Sequence, residues 1–184
     1  EKMRFLSFYD AVPQQPLNLH AVLEYELESK KLQEFSAIES TPFASGTFGQ
    51  VYRATLLDGT SVVVKVLRPG LRMKLLVDFM ILRIAAVLFN FFHYQRTIDV
   101  SGLLSEFKEL TYKELDYREE VRSAEYFYEV YRNHPFVVVP KTYKELSTSK
   151  VLVQEYIGGV ALTEFIEARS HQRETSIQFT KVEL

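Results

Sequence analysis

Two runs rich in β-branched and aromatic residues, QVYRATL and TSVVVKVL, sit in a chain whose flanks repeat apolar residues every three or four positions. Leu57-Asp58-Gly59-Thr60 separates the runs, and Asp-Gly between two such segments predicts a β-hairpin with positive φ at both central residues. Pro69-Gly70 ends the second strand. Upstream, Glu1 to Pro16 ends in the loop VPQQP, and NLHAVLEYELESKKLQEF has apolar residues at 19, 22, 23 and 27. That spacing predicts one helix from Asn18, its N-cap, to about Phe35. Downstream, helices are expected over 71–93 and 101–132, the second with Leu103, Phe107, Leu110, Tyr117, Val121 and Tyr128 along its apolar series. Residues 136–140 (FVVVP) and 150–157 (KVLVQEYI) read as two more strands. Gly158-Gly159 breaks the chain before a short helix, LTEFIEA, and the closing HQRETSIQFTKVEL is weakly patterned. Helix, hairpin, two helices and two strands give an α+β class, a small antiparallel sheet packed against long helices.

The segment Leu75–Phe92, LLVDFMILRIAAVLFNFF, has about the length of a membrane span. Arg83 near its middle and Asp78 near one end argue against crossing, since each costs about 2.5 to 3.5 kcal/mol at a helix centre. Arg72, Arg83 and Asn90 fall within about 20° of one another on a helical wheel and form a narrow polar stripe. The segment is read as a buried or membrane-touching helix, with spanning the lesser alternative.

At 184 residues with 47% hydrophobic positions, the chain is the size of one domain able to bury a core. A net charge of −2 supplies no overall field for nucleic acid, and no nucleic-acid partner is expected. The absence of cysteine excludes disulfides and thiolate metal sites, and four scattered histidines show no zinc-ligand spacing. No secretory signal is visible. The expected location is intracellular, including the periphery of a membrane, with bacterial inner membrane, mitochondrion and plastid left open.

The candidate chemistry begins at Ala44-Ser45-Gly46-Thr47-Phe48-Gly49-Gln50-Val51, a small-residue turn whose backbone N–H groups can approach phosphate oxygens. Taken alone, such a turn serves any tight hairpin. Lys65 changes the weighting. Alternation puts Val62, Val64 and Val66 on one face and Val63 and Lys65 on the other, so an ammonium among valines faces the surface the loop covers. A glycine-rich loop, a strand Lys on the α/β-phosphates and a helix Glu pairing that Lys form one working unit in kinases. In the second long helix, Glu114 takes a place in the apolar series and is expected to face the packed side, while Asp116 and Glu120 share another face.

The succession PFASGTFGQVYRATLLDGTSVVVKVLRPG, ELDYREEVRSAEYF and VLVQEYIGGVALTEF resembles the UbiB/ADCK family of atypical kinases over roughly residues 10–166. The strand Lys followed by R-P-G, with E-x-D downstream, carries the resemblance; ordinary kinases share only the loop, the Lys and a helix Glu. The resemblance implies a protein-kinase-like N-lobe that binds ATP, and a family role in ubiquinone or isoprenoid-lipid metabolism. It makes Lys65 the phosphate-contacting lysine and Glu120 its partner, with Glu114 and Asp116 the regulatory E-x-D pair that helps dock an inhibitory K-x-G-Q extension. That motif is absent here and is expected before Glu1. The resemblance further places adenine between Val51 and Val63, with its edge on the backbone of Glu155 to Ile157. The family's loop is usually alanine-rich, whereas Gly46 and Phe48 bring this one closer to an ordinary kinase loop.

Phosphoryl transfer on this plan needs a catalytic-loop Asp and a metal-binding Asp after the hinge strand. The last Asp of the chain is Asp116, so no catalytic and no metal-binding residue is assigned, and magnesium is expected only with a large lobe. The implied organisation is an N-terminal helical extension (1–35), a kinase-like N-lobe (36–157) with helices 71–93 and 101–132 inserted, and the start of a large lobe (158–184). The implied partners are nucleotide, a membrane surface or lipid, and proteins of quinone synthesis. The competing reading is a docking module for membranes or proteins, built on the aromatic helices, with a vestigial nucleotide loop.

Overall fold

A computed structural model describes residues 17–92 and 100–159. The loop read at 1–16, the link 93–99, and the short helix and polar tail read beyond Gly159 lie outside those residues.

The hairpin strands form the centre of an antiparallel sheet. β1 (Phe35–Ile38), β3 (Gly49–Leu56), β4 (Ser61–Leu67) and β5 (Val151–Glu155) lie in that spatial order, and β2 (Ala44–Ser45) pairs with β3 off the end of β1. The expected alternation holds. Val62, Val64 and Val66 are fully buried with Tyr52, Ala54, Val151 and Val153 in one core, whereas Val63 and Lys65 face the other way and are half-buried. Full burial of each valine contributes about 1.5–3 kcal/mol. The connecting turn differs from expectation: only Gly59 has positive φ, at 85°. Gly59 N–H donates to Leu56 O and Leu56 N–H to Thr60 O, a type I turn with a glycine bulge, while Asp58 Oδ1 accepts from Thr60 N–H at 2.9 Å. That backbone donor, with the Thr60 hydroxyl behind it, holds the Asp58 carboxyl below its ordinary pKa.

The single helix expected over 18–35 is two helices and the start of a strand. Asn18 caps α1 (Leu19–Glu26) as predicted, its side chain accepting from Ala21 N–H at 3.2 Å. Leu19, Leu23 and Leu27 fall on one stripe and are buried in the sheet core. Leu27 itself is extended, because the following polar run offers no apolar stripe to continue the burial. One turn, α2 (Ser29–Leu32), then leads to Phe35 at the start of β1.

α3 (Leu71–Phe92) packs on α4 (Val100–Lys113), with Phe79 against Phe107 and Tyr112 at ring-centroid distances of 5.8 and 6.2 Å. Only Phe79 and Ala86 of α3 are buried among its described side chains. The expectation of a buried helix is therefore corrected: Met73, Val77, Met80, Ile81, Ile84 and Leu88 are exposed, as are Arg72 and Arg83 of the polar stripe. Among the described residues no helix is long and apolar enough to cross a membrane.

The helix expected over 101–132 is broken between α4 and α5 (Tyr117–Tyr131). Leu115 and Asp116 N–H groups bond only three residues back, and Asp116 then caps α5, its Oδ1 accepting from Arg118 N–H at 3.0 Å. The break rotates the two halves out of one register. Leu103, Phe107 and Leu110 are exposed, Glu114 is exposed too, and Leu115 takes the buried place. The packed-side reading of Glu114 is thus overturned.

Residues 136–140 do not form a strand. Phe136 and Val138 are exposed, and Pro140 has no N–H for a ladder. The outer edge of β5 is met instead by residues 141–143, through Glu155 N–H to Lys141 O, Tyr143 N–H to Val153 O and a bridge at Thr142.

Candidate functional site

β3 and β4 pair in a register that sets Val51 opposite Lys65, and β4 and β5 set Lys65 opposite Leu152 and Val63 opposite Gln154. These residues share the face of the sheet turned away from α1. α5 lies at its end, and Lys65 Nζ donates to Glu120 Oε1 at 2.6 Å. Both side chains remain partly exposed, at 31% and 42%, so the pair is open to a third, anionic group.

The turn over this pair is closed by Gly46 N–H to Gly49 O at 2.9 Å, and Phe48 O accepts from Arg68 N–H. The backbone N–H groups of Thr47 and Phe48 meet no acceptor among the described residues. Free successive amides of this kind suit phosphate oxygens. The two glycines differ in cause. A Cβ at Gly49 would stand 2.5 Å from Val66 O and 3.0 Å from the Tyr117 hydroxyl, so packing alone requires that glycine. At Gly46 a Cβ would meet, among the described residues, only Gly49 O at 3.8 Å, an ordinary contact that does not require glycine.

Glu155 N–H and Tyr156 N–H are bonded to Lys141 O and Ser61 O, whereas Ile157, exposed just beyond, has an N–H without an acceptor among the described residues. Ala44 and Ser45 pair with Val51 and Gln50, which brings the loop's first strand over the same face. Ala44, Val51, Val63, Lys65 and Glu120 therefore belong to one face, with Gly46 to Gly49 and Ile157 at its rim, whereas Ser45 and Glu155, paired with Gln50 and Val62, turn their side chains to the other face. Glu114 and Asp116 stand apart from the Lys65–Glu120 contact. Asp116 is committed to Arg118 through side-chain bonds of 3.0 and 3.1 Å, and those bonds with the Arg118 N–H hold its carboxyl below the usual range.

Three features escaped the sequence reading. Tyr117, counted there as an apolar position, sets its hydroxyl against Gly49, and burial, with the Glu120 and Glu114 carboxylates, pushes its phenol up to about 12. Gln154, buried beside Val63, donates to Thr142 Oγ1 at 3.1 Å. Arg53 is layered between the rings of Phe43 and Tyr156, 4.2 and 4.9 Å from their centroids, and donates to the Tyr156 hydroxyl. The start of α5 was legible in one signal, Asp116 followed by Glu119 three residues on, a capping pattern inside an apparently continuous period.

The small sheet, the free loop amides and the strand lysine paired with a helix glutamate define a kinase-like N-terminal lobe. The profile of the ABC1 atypical kinase-like domain matches residues 8–182, and the chain belongs to that family. Activity of bc1 complex kinase 3, a chloroplastic protein of Arabidopsis thaliana, is 34% identical over 163 residues, covering 88% of this chain and 23% of its own length. Activity of bc1 complex kinase 7 of the same plant is 36% identical over 154 residues, 83% of this chain and 22% of its own. The Mycobacterium tuberculosis protein Rv3197, solved in complex with erythromycin, superposes with a TM-score of 0.72 at 35% identity, over 91% of this chain and 42% of that one. The chain thus spans about a quarter of the curated relatives it matches.

Proposed function

We propose that this chain is the nucleotide-holding lobe of an atypical kinase or ATPase of the UbiB type, acting in ubiquinone or related isoprenoid-lipid metabolism. The Lys65–Glu120 contact at 2.6 Å beneath the free Thr47 and Phe48 amides carries the reading. ATP lays its α- and β-phosphates between the loop amides and Lys65, with adenine against Val51 and Val63 and its edge toward the free Ile157 N–H. Glu120 holds the ammonium in place while the phosphates share it. Magnesium and the transfer step are assigned to groups outside these residues, since no Asp follows Asp116.

The chain by itself is expected to bind ATP weakly and to release no phosphate. Calorimetric titration with ATP tests this: binding that falls at least tenfold in Lys65→Met supports the reading. Equal binding by wild type and variant, or steady hydrolysis by the chain alone, overturns it.

The exposed apolar side chains of α3 favour a second role, an intracellular surface contact with a membrane or with proteins of quinone synthesis. Sedimentation with vesicles of mixed neutral and anionic phospholipid reads the membrane contact. Loss of pelleting in the pair Met80→Glu and Ile84→Glu supports it, and unchanged pelleting counts against it.

A further inference from the structure

Behind the phosphate loop, α1, the β4–α3 junction and the α4–α5 break enclose a groove of about 540 Å³. Its size is that of a site for a small organic molecule. Val22, Leu67 and Leu115 supply an apolar floor, and Tyr25 and Tyr112 stand in its walls. Four cations border it, and they divide sharply. Lys150 is bound to Glu26 at 2.6 Å, and Arg118 to Asp116. Arg68 and Arg72 have no carboxylate partner among the described residues; Arg72 lies 5.6 Å from the Tyr112 centroid, and Arg68 reaches the phosphate loop.

We infer that this groove binds a small organic anion with an apolar body, a phosphate or carboxylate held by Arg68 and Arg72, and that its occupation loosens the phosphate loop. The coupling follows from one side chain. Arg68 lines the groove, and its guanidinium donates to Ser45 Oγ at 2.9 Å and to Gly46 O at 3.4 Å. An anion in the groove competes for the same donors, and the loop loses the bonds that hold Ser45 and Gly46. By linkage, nucleotide in the loop then weakens the anion by the same factor. The binding half of this inference stands without the nucleotide reading; the coupling half rests on it.

Hexyl phosphate is the probe, with hexanol and inorganic phosphate as its two halves. Calorimetry is expected to show one saturable site for hexyl phosphate and no comparable affinity for either half. Arg72→Ala is expected to weaken it at least fivefold, and Ala21→Trp, which fills the groove from the exposed side of α1, to abolish it. Lys65→Met, which disables the nucleotide face, is expected to leave it intact. Saturating hexyl phosphate is expected to weaken ATP about fivefold in wild type and not in Arg68→Ala. Hexyl phosphate binding unaffected by Arg72→Ala and Ala21→Trp, or lost in Lys65→Met, overturns the site. ATP affinity indifferent to the probe overturns the coupling. A chain that binds the probe in this Arg72-dependent way but never binds ATP refutes the proposed function and leaves the groove standing.

Discussion

The two faces of one sheet are written in alternate residues of the same strands, yet they are built for different ends. Toward α1, Val62, Val64 and Val66 meet Leu19, Leu23 and Leu27 in an apolar core whose buried polar groups include Gln50 and the Tyr52 hydroxyl, the hydroxyl donating to Gln50 Oε1 at 2.7 Å. Toward α5, Val51, Val63 and Lys65 are half-buried, and the polar groups there include amides and an ion pair with capacity to spare. Among the described residues, the first face leaves no buried side-chain polar atom without a partner. The second leaves room for a ligand, and a site held ready in this way gives up some packing for function.

Leu23→Ala is the strongest test of that division. It removes a buried side chain from the α1 stripe and is expected to cost about 2–5 kcal/mol in denaturant unfolding. The folded fraction should keep its ATP affinity; a proportionate loss would mean the faces are not separable. The two loop glycines sharpen the contrast within a few residues. Gly49→Ala forces a Cβ against the Val66 carbonyl and is expected to cost about 1–3 kcal/mol. Gly46→Ala is expected to leave the unfolding midpoint nearly unchanged while weakening ATP. Similar destabilisation by both would make the loop a packing device only.

Asp116→Ala removes the α5 cap and is expected to cost about 1 kcal/mol, whereas Asp116→Asn keeps an acceptor for Arg118 N–H. The Asp116 carboxyl is depressed in the folded state, so its contribution is present above about pH 4 and fades as the pH falls through the folded value. Urea unfolding at pH 7 and pH 3 should show the wild type losing this increment and Asp116→Asn not. Identical losses would mean that the cap does not depend on the charge.

What the sequence disclosed was whatever its local period determined. Alternation alone put Lys65 opposite the valine core, and Asn18 announced its helix, because a two-residue period and a cap act within a few positions. The failures came where a distant partner decided. FVVVP has the composition of a strand, but the β5 edge is taken by residues 141–143, and Pro140 cannot donate to it. The apolar series through Leu103, Phe107 and Leu110 continues in phase into α5, so the break at Asp116 stayed hidden and Glu114 was carried onto a packed face it does not occupy. Arg53 between Phe43 and Tyr156 needs three segments brought together, and no spacing in the chain encodes it.

Tyr117 offers the smallest effect and the closest view of the open face. Its hydroxyl lies where a Cβ on Gly49 would touch it, and burial with Glu120 and Glu114 nearby raises its pKa from 10.0 to about 12. The unfolded chain releases this proton near pH 10 while the folded chain holds it, so the contribution to stability is complete below pH 10 and is lost as the pH rises toward 12. Tyr117→Phe keeps the ring and removes the titration. At neutral pH its stability should differ little from wild type, and between pH 10 and 12 its unfolding free energy should fall less steeply. The slope does not vanish, because burial raises the Tyr52 phenol on the opposite face as well. Glu120→Gln removes one of the two carboxylates acting on Tyr117, so the alkaline loss should still begin near pH 10 but level off sooner and be smaller, while the back-face core is untouched. Parallel alkaline curves for wild type and Tyr117→Phe would show that the phenol titrates freely, and would remove Tyr117 from the group that holds the loop, the strand lysine and α5 together.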